Sequence, residues 1–355
     1  MIPVTPTAAF PHLPPEAACG KVRRLARLCD ADGRFAMLAI DQRTSLRRAL
    51  RALPPAALPA GRAPLDTHLV AIKRVVTESL AREATAVLAD PELGYAATAA
   101  AIPPTVGVLL AAEVSGYEAG LRGERRSRLL PGWTAAGVLQ RGADAVKMLV
   151  WHHPGATAAT QAHQQALVEQ TGQAAATAGV PFLLEVVTYG LDGVDRHSAA
   201  FAPHRADLVV DAVTTYSDPR FHVDLFKIEF PVPLRYVETY QGADFATGEV
   251  LFTEAEAEAA CRRVEAAAAV PWVILSAGVA PAEFEANIRM ATAHGASGFL
   301  CGRAVWKPLV PWVADEARMR AFAESEARAT FQRLRAANAC AQPWHQHPRY
   351  RGPVS

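Results

Sequence analysis

Two lysines lie inside apolar segments of this sequence, where a buried strand normally carries another Val or Leu. Lys147 falls in the run 145–151, and Lys227 falls in the run 224–232. A lysine amine that has lost its proton can attack a carbonyl carbon and form an imine, which then draws electrons from an adjacent carbon–carbon bond. The sequence therefore offers a candidate Schiff-base nucleophile. The alternative is a lysine on an edge strand whose long side chain reaches solvent.

Glu185 lies in a third apolar run, 182–187, between the two runs that carry the lysines. A carboxyl group at this position could move the protons that carbinolamine formation, dehydration and carbon–carbon cleavage require. A second lysine close to Lys227 would also help to make Lys227 a neutral amine, because like charges disfavour one another. Lys147 and Glu185 could instead form a structural salt bridge, which would explain both residues without any catalysis.

Eight apolar runs alternate with amphipathic helical segments along the chain. The runs are residues 35–40, 85–89, 106–110, 145–151, 182–187, 224–232, 272–275 and 298–301. Apolar strands that alternate with helices indicate a parallel sheet buried on both faces, and eight such units indicate that the sheet closes. An open nucleotide-binding sheet would carry a GxGxxG turn after the first strand, where Asp41-Gln42-Arg43 stands instead. The predicted fold class is therefore α/β, a single (β/α)8 barrel.

The barrel is expected to form one domain over residues 17–340. Recurrent prolines in residues 1–16 predict a surface arm, and a short helix follows at about 17–30. Further helices are predicted at about 66–83 and 157–178, with a long final helix at about 314–338. Residues 341–355, rich in Pro, His and Arg, predict a loose C-terminal tail.

Composition excludes several classes of partner. With 36 basic and 35 acidic residues, the formal net charge of +1 favours neither nucleic acid nor an anionic membrane as a partner. A small anionic substrate would therefore be bound by a few local positive groups. Five widely spaced cysteines without a CxxC pair indicate a reduced, cytoplasmic protein.

Neither a metal nor another cofactor is expected. Of eleven histidines, only His152 and His153 lie beside a strand end, and adjacent strand residues point to opposite faces. The sequence also contains no GxSxG elbow and no Walker loop, which leaves hydrolase and nucleotide-kinase chemistry without support.

Active sites of such barrels lie at the carboxyl ends of the strands and in the loops that follow. The candidate residues at these ends are Asp41, Gln42, Arg43, Glu113, Lys147, Glu185, Lys227, Ser276, Gly278, Gly302 and Arg303. Segments 276–279 and 302–304 follow the seventh and eighth strands and predict a phosphate site. Glycines permit close backbone approach there, and Arg303 supplies a forked charge.

Several of these residues also have ordinary explanations. Asp41 could cap the first loop, and Glu113 could be a charge on the rim. Asp90, which precedes Pro91, could simply start a turn. Glycines after strands are common turn residues, although the arginine beside them favours the phosphate site.

In combination, these segments resemble the tagatose 1,6-bisphosphate aldolase family of class I aldolases. The resemblance extends in order from about residue 20 to 310, and it rests on segments 39–43, 90–92, 113–117, 142–147, 182–185, 227–229, 275–279 and 301–304. That family is itself similar to the sulfofructosephosphate aldolases. The resemblance implies a cytoplasmic lyase that reversibly cleaves a phosphorylated ketose into dihydroxyacetone phosphate and an aldehyde, without a metal.

The resemblance also implies roles for the candidate residues. Lys227 would form the Schiff base with the ketose carbonyl, while Glu185 and Lys147 would transfer protons and position hydroxyl groups. Asp41 and Gln42 would contact the hydroxyl groups of the substrate or its phosphate region, and Arg43 would lie toward the far end of the substrate. The C1 phosphate would be held by Ser276, Gly278 and Arg303. Barrel aldolases commonly associate, so a homo-oligomer is expected.

Three segments depart from the family pattern and leave the distal substrate group open. They are residues 186–190, residues 151–154 and Phe230. A sulfofructosephosphate aldolase, or an imine-forming aldolase of a smaller sugar phosphate such as deoxyribose phosphate, is therefore an alternative. A non-catalytic barrel that binds sugar phosphate is disfavoured, because such a protein has no need for two lysines in its core.

Overall fold

Eight parallel strands close into a barrel in the computed structural model, which describes residues 4–54, 58 and 64–351. Each strand pairs with its neighbour along the chain, and the first pairs with the eighth. In chain order the barrel strands are Phe35–Ala39, Ala86–Ala89, Gly107–Ala111, Ala145–His152, Phe182–Thr188, Leu225–Glu229, Trp272–Leu275 and Gly298–Cys301. The predicted (β/α)8 barrel is confirmed.

Helices surround the barrel and follow the predicted segments closely. The longer helices are Pro15–Arg27, Thr44–Arg51, Leu65–Leu80, Ala135–Gln140, Ala158–Thr177, Ala202–Tyr216, Glu254–Ala267 and Pro281–Ala293. Short helices are Pro6–Ala9, Tyr95–Thr98 and Arg303–Trp306. The final helix comprises Glu316–Phe322 and Arg328–Ala337, joined by the π-helical segment Ala323–Ala327. None of the helices in the described segments is long and apolar enough to cross a bilayer.

The barrel interior is closed at its amino end by both termini of the described chain. Phe10 and Trp344 are fully buried there, and Tyr350 donates a 2.8 Å hydrogen bond to the carbonyl of Asp224. The expected surface arm and loose tail are therefore wrong for these residues. These large aromatic side chains cover the apolar side chains of the barrel interior and remove their surface from water.

Strand register sets the level of each inward side chain. Leu149, Glu185 and Lys227 pair across the fourth, fifth and sixth strands, so they share one level. Because inward residues recur every second position, Trp151 lies one level further toward the carboxyl end, about 6.6 Å away. A ribbon formed by Glu118–Ala119 and Arg125–Arg126 follows the third strand.

Candidate active site

Three carboxylates surround the ammonium group of Lys147 inside the barrel. Its Nζ lies 2.6 Å from Glu113 Oε1, 2.7 Å from Glu185 Oε2 and 3.1 Å from Asp41 Oδ2. Asp41 and Glu113 follow the first and third strands, whereas Lys147 and Glu185 lie within the fourth and fifth. All four side chains are at least nine-tenths buried. Glu113 is therefore a buried partner of Lys147, and the alternative of a rim charge is wrong.

Lys227 shares the Glu185 carboxylate with Lys147. Its Nζ lies 3.0 Å from Glu185 Oε2, the same oxygen that forms an ion pair with Lys147, and its side chain is 5% exposed. Both lysines therefore point into the barrel, which their candidate roles require, and the alternative of a lysine that reaches solvent from an edge strand is wrong. The salt bridge between Lys147 and Glu185, which offered a purely structural explanation, also exists, but its carboxylate serves a second lysine as well.

The charges of this cluster hold its members in defined protonation states. Burial opposes the ammonium form of Lys147, but the three neighbouring carboxylates outweigh burial and raise its pKa well above the ordinary lysine value. Burial likewise opposes the carboxylate forms of Asp41 and Glu185. The charges of Lys147 and Lys227 outweigh it and lower both pKa values. Lys147 is thus held as a cation and Glu185 as a carboxylate.

Stability is expected to depend on these two carboxylates at low pH. Their folded-state pKa values lie below the ordinary values of 3.8 and 4.5, so their contribution is fully present above those values. It is lost as the pH falls through the folded-state values. The free energy of unfolding, measured by urea titration between about pH 5 and pH 2, should therefore decrease. Asp41→Asn should flatten this decrease, and an unchanged slope in that variant would contradict the assigned ion pairs.

A buried lysine alone does not identify a nucleophile in this chain. Only five of the 36 basic residues are lysines, and two buried ones lie outside the cluster. Lys21 pairs with Asp224 at 2.5 Å, and Lys73 pairs with Asp90 at 2.7 Å. Each of these two has an aspartate to itself. Lys227 differs because its carboxylate partner is shared with another lysine at the carboxyl end of the barrel.

Asp90 does more than start a turn. Its Oδ1 accepts hydrogen bonds from the backbone of Leu93 and Gly94, at 2.7 and 3.3 Å, while its Oδ2 binds Lys73. Lys73 also donates to the carbonyl of Ile40 at 2.5 Å. This network ties the first two strand ends together and fixes the backbone immediately before Asp41.

The three residues after the first strand, 41–43, make different contacts. Asp41 faces Lys147, and the side-chain oxygen of Gln42 is buried without a hydrogen-bond partner among the described residues. Arg43 is buried and already bonded, because it forms an ion pair with Glu92 and donates to the carbonyl of Glu113 at 2.8 Å. The guanidinium of Arg43 therefore has little freedom to bind a substrate anion.

The predicted phosphate residues come together after the seventh and eighth strands. Gly278 has a φ of +80°, and a Cβ there would lie 3.6 Å from the guanidinium carbon of Arg303. A Cβ on Gly302 would lie 2.3 Å from the carbonyl of Ala39, so only glycine fits. Burial lowers the pKa of Arg303, which forms no ion pair with any residue in the described segments. This guanidinium, which has no ion-pair partner among the described residues and lies beside glycine backbone, suits an anion.

A second group of residues at the barrel mouth was not anticipated. The guanidinium carbon of Arg125 lies 4.6 Å from the ring centre of Tyr117, 4.5 Å from that of Trp151 and 5.4 Å from that of Tyr189. We call these four residues the distal cluster. Trp151 could have been placed at the mouth from its alternation with Lys147 and Leu149, whereas no periodic pattern marks Arg125.

Arg196 and Glu229 lie beside the distal cluster. Arg196 forms an ion pair with Glu229, whose carboxylate also accepts hydrogen bonds from the backbone and hydroxyl of Thr188, at 2.7 and 2.8 Å. Glu229 stands two residues after Lys227 and therefore shares its face of the sixth strand. That spacing was a signal in the sequence that the prediction missed.

The sequence is similar to those of named sugar-phosphate aldolases. The tagatose 1,6-diphosphate aldolase of Lactococcus lactis is 34% identical over 83% of this chain and 87% of its own length. The enzyme of the same name from Staphylococcus epidermidis is 34% identical over 85% of this chain and 89% of its own length.

The fold also matches that of a solved aldolase. The fructose-bisphosphate aldolase of Plasmodium falciparum, solved in complex with TRAP and a small-molecule inhibitor, superimposes with a TM-score of 0.61 over 93% of this chain and 97% of the other. At 12% identity, this likeness concerns the fold alone. The model of the DeoC/LacD family aldolases matches residues 35–308, which include every barrel strand. This chain belongs to the DeoC/LacD aldolase family.

Proposed function

We propose that this protein is a class I aldolase that cleaves a ketose bisphosphate of the tagatose 1,6-bisphosphate type into dihydroxyacetone phosphate and an aldehyde. The observation that carries the proposal is the single oxygen of Glu185 that lies 2.7 Å from Lys147 and 3.0 Å from Lys227. Such an arrangement provides one carboxylate for two amines among largely buried side chains. The similarity to tagatose 1,6-diphosphate aldolases supports the choice of substrate.

In the proposed reaction, Lys227 attacks the C2 carbonyl of the ketose after Glu185 has taken a proton from its ammonium group. Glu185 returns that proton to the hydroxyl of the carbinolamine, which leaves as water and gives the protonated imine. Glu185 then accepts the proton of the C4 hydroxyl, the C3–C4 bond breaks, and its electron pair moves toward the imine nitrogen to form an enamine. The aldehyde leaves, the enamine is protonated at C3, and hydrolysis of the imine releases dihydroxyacetone phosphate.

The other members of the charged cluster would position the sugar. Lys147 stays cationic and donates to a substrate hydroxyl or to the developing oxyanion, while Asp41 and Glu113 hold Lys147 in place. Gln42 offers an unpaired side-chain oxygen to a hydroxyl group. In this proposal Arg43 supports the loop after the first strand through Glu92 and Glu113, in place of the direct substrate contact that the family resemblance implies.

The experiment that tests this function is an assay for dihydroxyacetone phosphate released from tagatose 1,6-bisphosphate, with and without a chelator. Release that survives the chelator is the expected result. Complete loss of activity with the chelator would contradict an imine mechanism, because metal-dependent cleavage uses a bound cation as its electron sink. A parallel assay with the sulfofructose analogue tests the alternative substrate, which the departure from the family pattern at residues 151–154 leaves open.

Arg303→Ala is expected to raise KM more than it lowers kcat. Ser276, Gly278 and Gly302 would supply backbone or hydroxyl donors to the C1 phosphate, and Arg303 would supply the charge. Loss of one charge-assisted contact should raise KM roughly 10- to 100-fold. Steady-state kinetics measures this split, and a variant that loses kcat alone would move Arg303 from phosphate binding to the chemical step.

Three further expectations belong to this proposal. They are the homo-oligomeric state, the reduced, cytoplasmic compartment, and a domain that extends past the expected boundaries at residues 17 and 340, because Phe10, Trp344 and Tyr350 are buried against the barrel. All five cysteines are free thiols, with Cys19 and Cys340 exposed, which agrees with a reducing environment. Light scattering of the purified protein would determine the oligomeric state.

A further inference from the structure

Arg125 is a half-buried guanidinium without a carboxylate partner. Within residues 4–54, 58 and 64–351 it forms no ion pair, and its side chain donates no hydrogen bond to protein. Its neighbours on the same ribbon differ, since Arg126 donates to the hydroxyl of Thr160 at 2.9 Å. Partial burial of an unpaired charge is unfavourable, and a bound anion would offset this cost for Arg125.

The three aromatic rings around Arg125 orient it without neutralising it. Stacking on Tyr117, Trp151 and Tyr189 holds the planar group through cation–π contacts but leaves its donors available. The buried hydroxyl of Tyr189 has no hydrogen-bond partner among the described residues. Burial lowers the pKa of Arg125, and the nearby charge of Arg196 adds to this effect. An incoming anion would satisfy both side chains.

The distal cluster lies on the mouth side of the charged cluster that Asp41, Glu113, Lys147, Glu185 and Lys227 form. Trp151 lies one level beyond the Glu185–Lys227 pair toward the mouth, about 6.6 Å further along the fourth strand than Leu149. The base of the Arg125 ribbon is anchored at Glu113, which bridges to Leu129 and binds Lys147. Arg125 is therefore held in a defined place relative to the two lysines.

Arg125 and Arg303 stand on different sides of the barrel mouth. Arg303 follows the eighth strand, whereas Arg125 packs on side chains at the ends of the fourth and fifth strands. In a closed barrel of eight strands these positions lie nearly opposite each other, with Lys227 on the sixth strand between them. A substrate bound through Lys227 can thus meet one unpaired guanidinium at each end.

We propose that Arg125 binds a terminal tetrahedral anion, a phosphate or a sulfonate, at the end of the substrate that is far from Arg303. This inference rests on the proposed function, because it uses the imine position at Lys227 to define the two ends. Arg43, the residue expected at this end of the substrate, already forms an ion pair with Glu92, which leaves its guanidinium little freedom to bind the anion. Arg125 is then the residue that selects substrates with a second anion.

The test compares ligand affinity in a background that cannot turn over. Lys227→Met protein is titrated with tagatose 1-phosphate, with tagatose 1,6-bisphosphate and with the 6-sulfonate analogue of the 1-phosphate. At least one of the two doubly anionic ligands should bind roughly 10- to 100-fold more tightly than the 1-phosphate. Whichever of the two binds more tightly shows whether the site prefers a phosphate or a sulfonate. Adding Arg125→Met should remove this advantage and leave the affinity for the 1-phosphate nearly unchanged.

Controls separate charge recognition from folding. Arg126→Met changes the adjacent arginine on the same ribbon and should keep the advantage, and Arg125→Lys should restore part of it because the charge remains. In the enzyme with Lys227 intact, Arg125→Met should raise KM for the doubly anionic ketose with little change in kcat. An advantage that persists in Arg125→Met, or no advantage to begin with, overturns the inference. Failure of the aldolase function would appear separately, as bound bisphosphate that the intact enzyme never cleaves.

Discussion

Replacing Lys227 with Met is expected to abolish turnover, with kcat lowered on the order of 10⁴-fold or more, because no other side chain at that level can form the imine. Met is close to Lys in length and should fill the same space. Glu185 keeps its 2.7 Å ion pair with Lys147 in the variant, so no buried carboxylate is left without a cation. The loss should therefore be catalytic, with the fold intact by circular dichroism.

Lys307→Met provides the matched control. Lys307 is exposed and follows the short helix Arg303–Trp306, so the substitution should leave kcat and KM unchanged. Substantial turnover by Lys227→Met, beyond what contamination explains, would exclude Lys227 as the nucleophile. A parallel loss in Lys307→Met would show that the assay responds to folding or handling.

Glu185→Gln is expected to lower kcat by roughly 10²- to 10⁴-fold, the usual contribution of a general base. Glutamine keeps the shape of the side chain but cannot accept the proton of Lys227 or of the substrate hydroxyl. It also removes a negative charge that both lysines share, at 2.7 and 3.0 Å. Steady-state kinetics should show the effect mainly in kcat, since Glu185 acts on the reacting atoms.

Glu265→Gln is a suitable control for that substitution. Glu265 accepts a 2.7 Å hydrogen bond from Trp272 at the start of the seventh strand, which is the opposite end of the barrel from the site. The amide oxygen can still accept this bond, so catalysis should not change. If Glu185→Gln raised KM alone, Glu185 would be a binding residue and another group would have to move the protons.

The barrel could be predicted because each strand is buried on both faces. Segments 272–275 and 298–301 coincide with strands Trp272–Leu275 and Gly298–Cys301, since an uninterrupted apolar run has few alternative positions. The inward direction of Lys147 and Lys227 did not follow from this argument alone, because a strand buried on both faces leaves open which face each side chain occupies. A lysine inside a central barrel strand has no edge at which to reach solvent.

The ends of the chain could not be predicted in the same way. Phe10, Trp344 and Tyr350 lie in short segments without helical or strand periodicity, and their burial depends on closing the barrel from below. Such contacts join parts of the chain that are hundreds of residues apart. Local patterns contain no information about them, so the two segments were predicted to be loose.

The site was predictable where residues follow strands and unpredictable where loops fold back. Glu113 was a candidate, but its 2.6 Å contact with Lys147 depends on the ribbon after the third strand. Arg125 lies in a strand of two residues, which is too short for any periodic signal. The charge on Lys147 could not be judged from the sequence either. From the sequence, Lys147 was paired with Glu185 alone, whereas the structure places three carboxylates around it.

Borohydride trapping tests the central claim most directly. Reduction of the imine with dihydroxyacetone phosphate gives a stable secondary amine, and mass spectrometry of the digested protein identifies the modified lysine. We predict one adduct on Lys227, absent from Lys227→Met and retained in Lys307→Met. An adduct on Lys147, or an adduct that survives in Lys227→Met, would contradict the assignment of Lys227 as the Schiff-base residue.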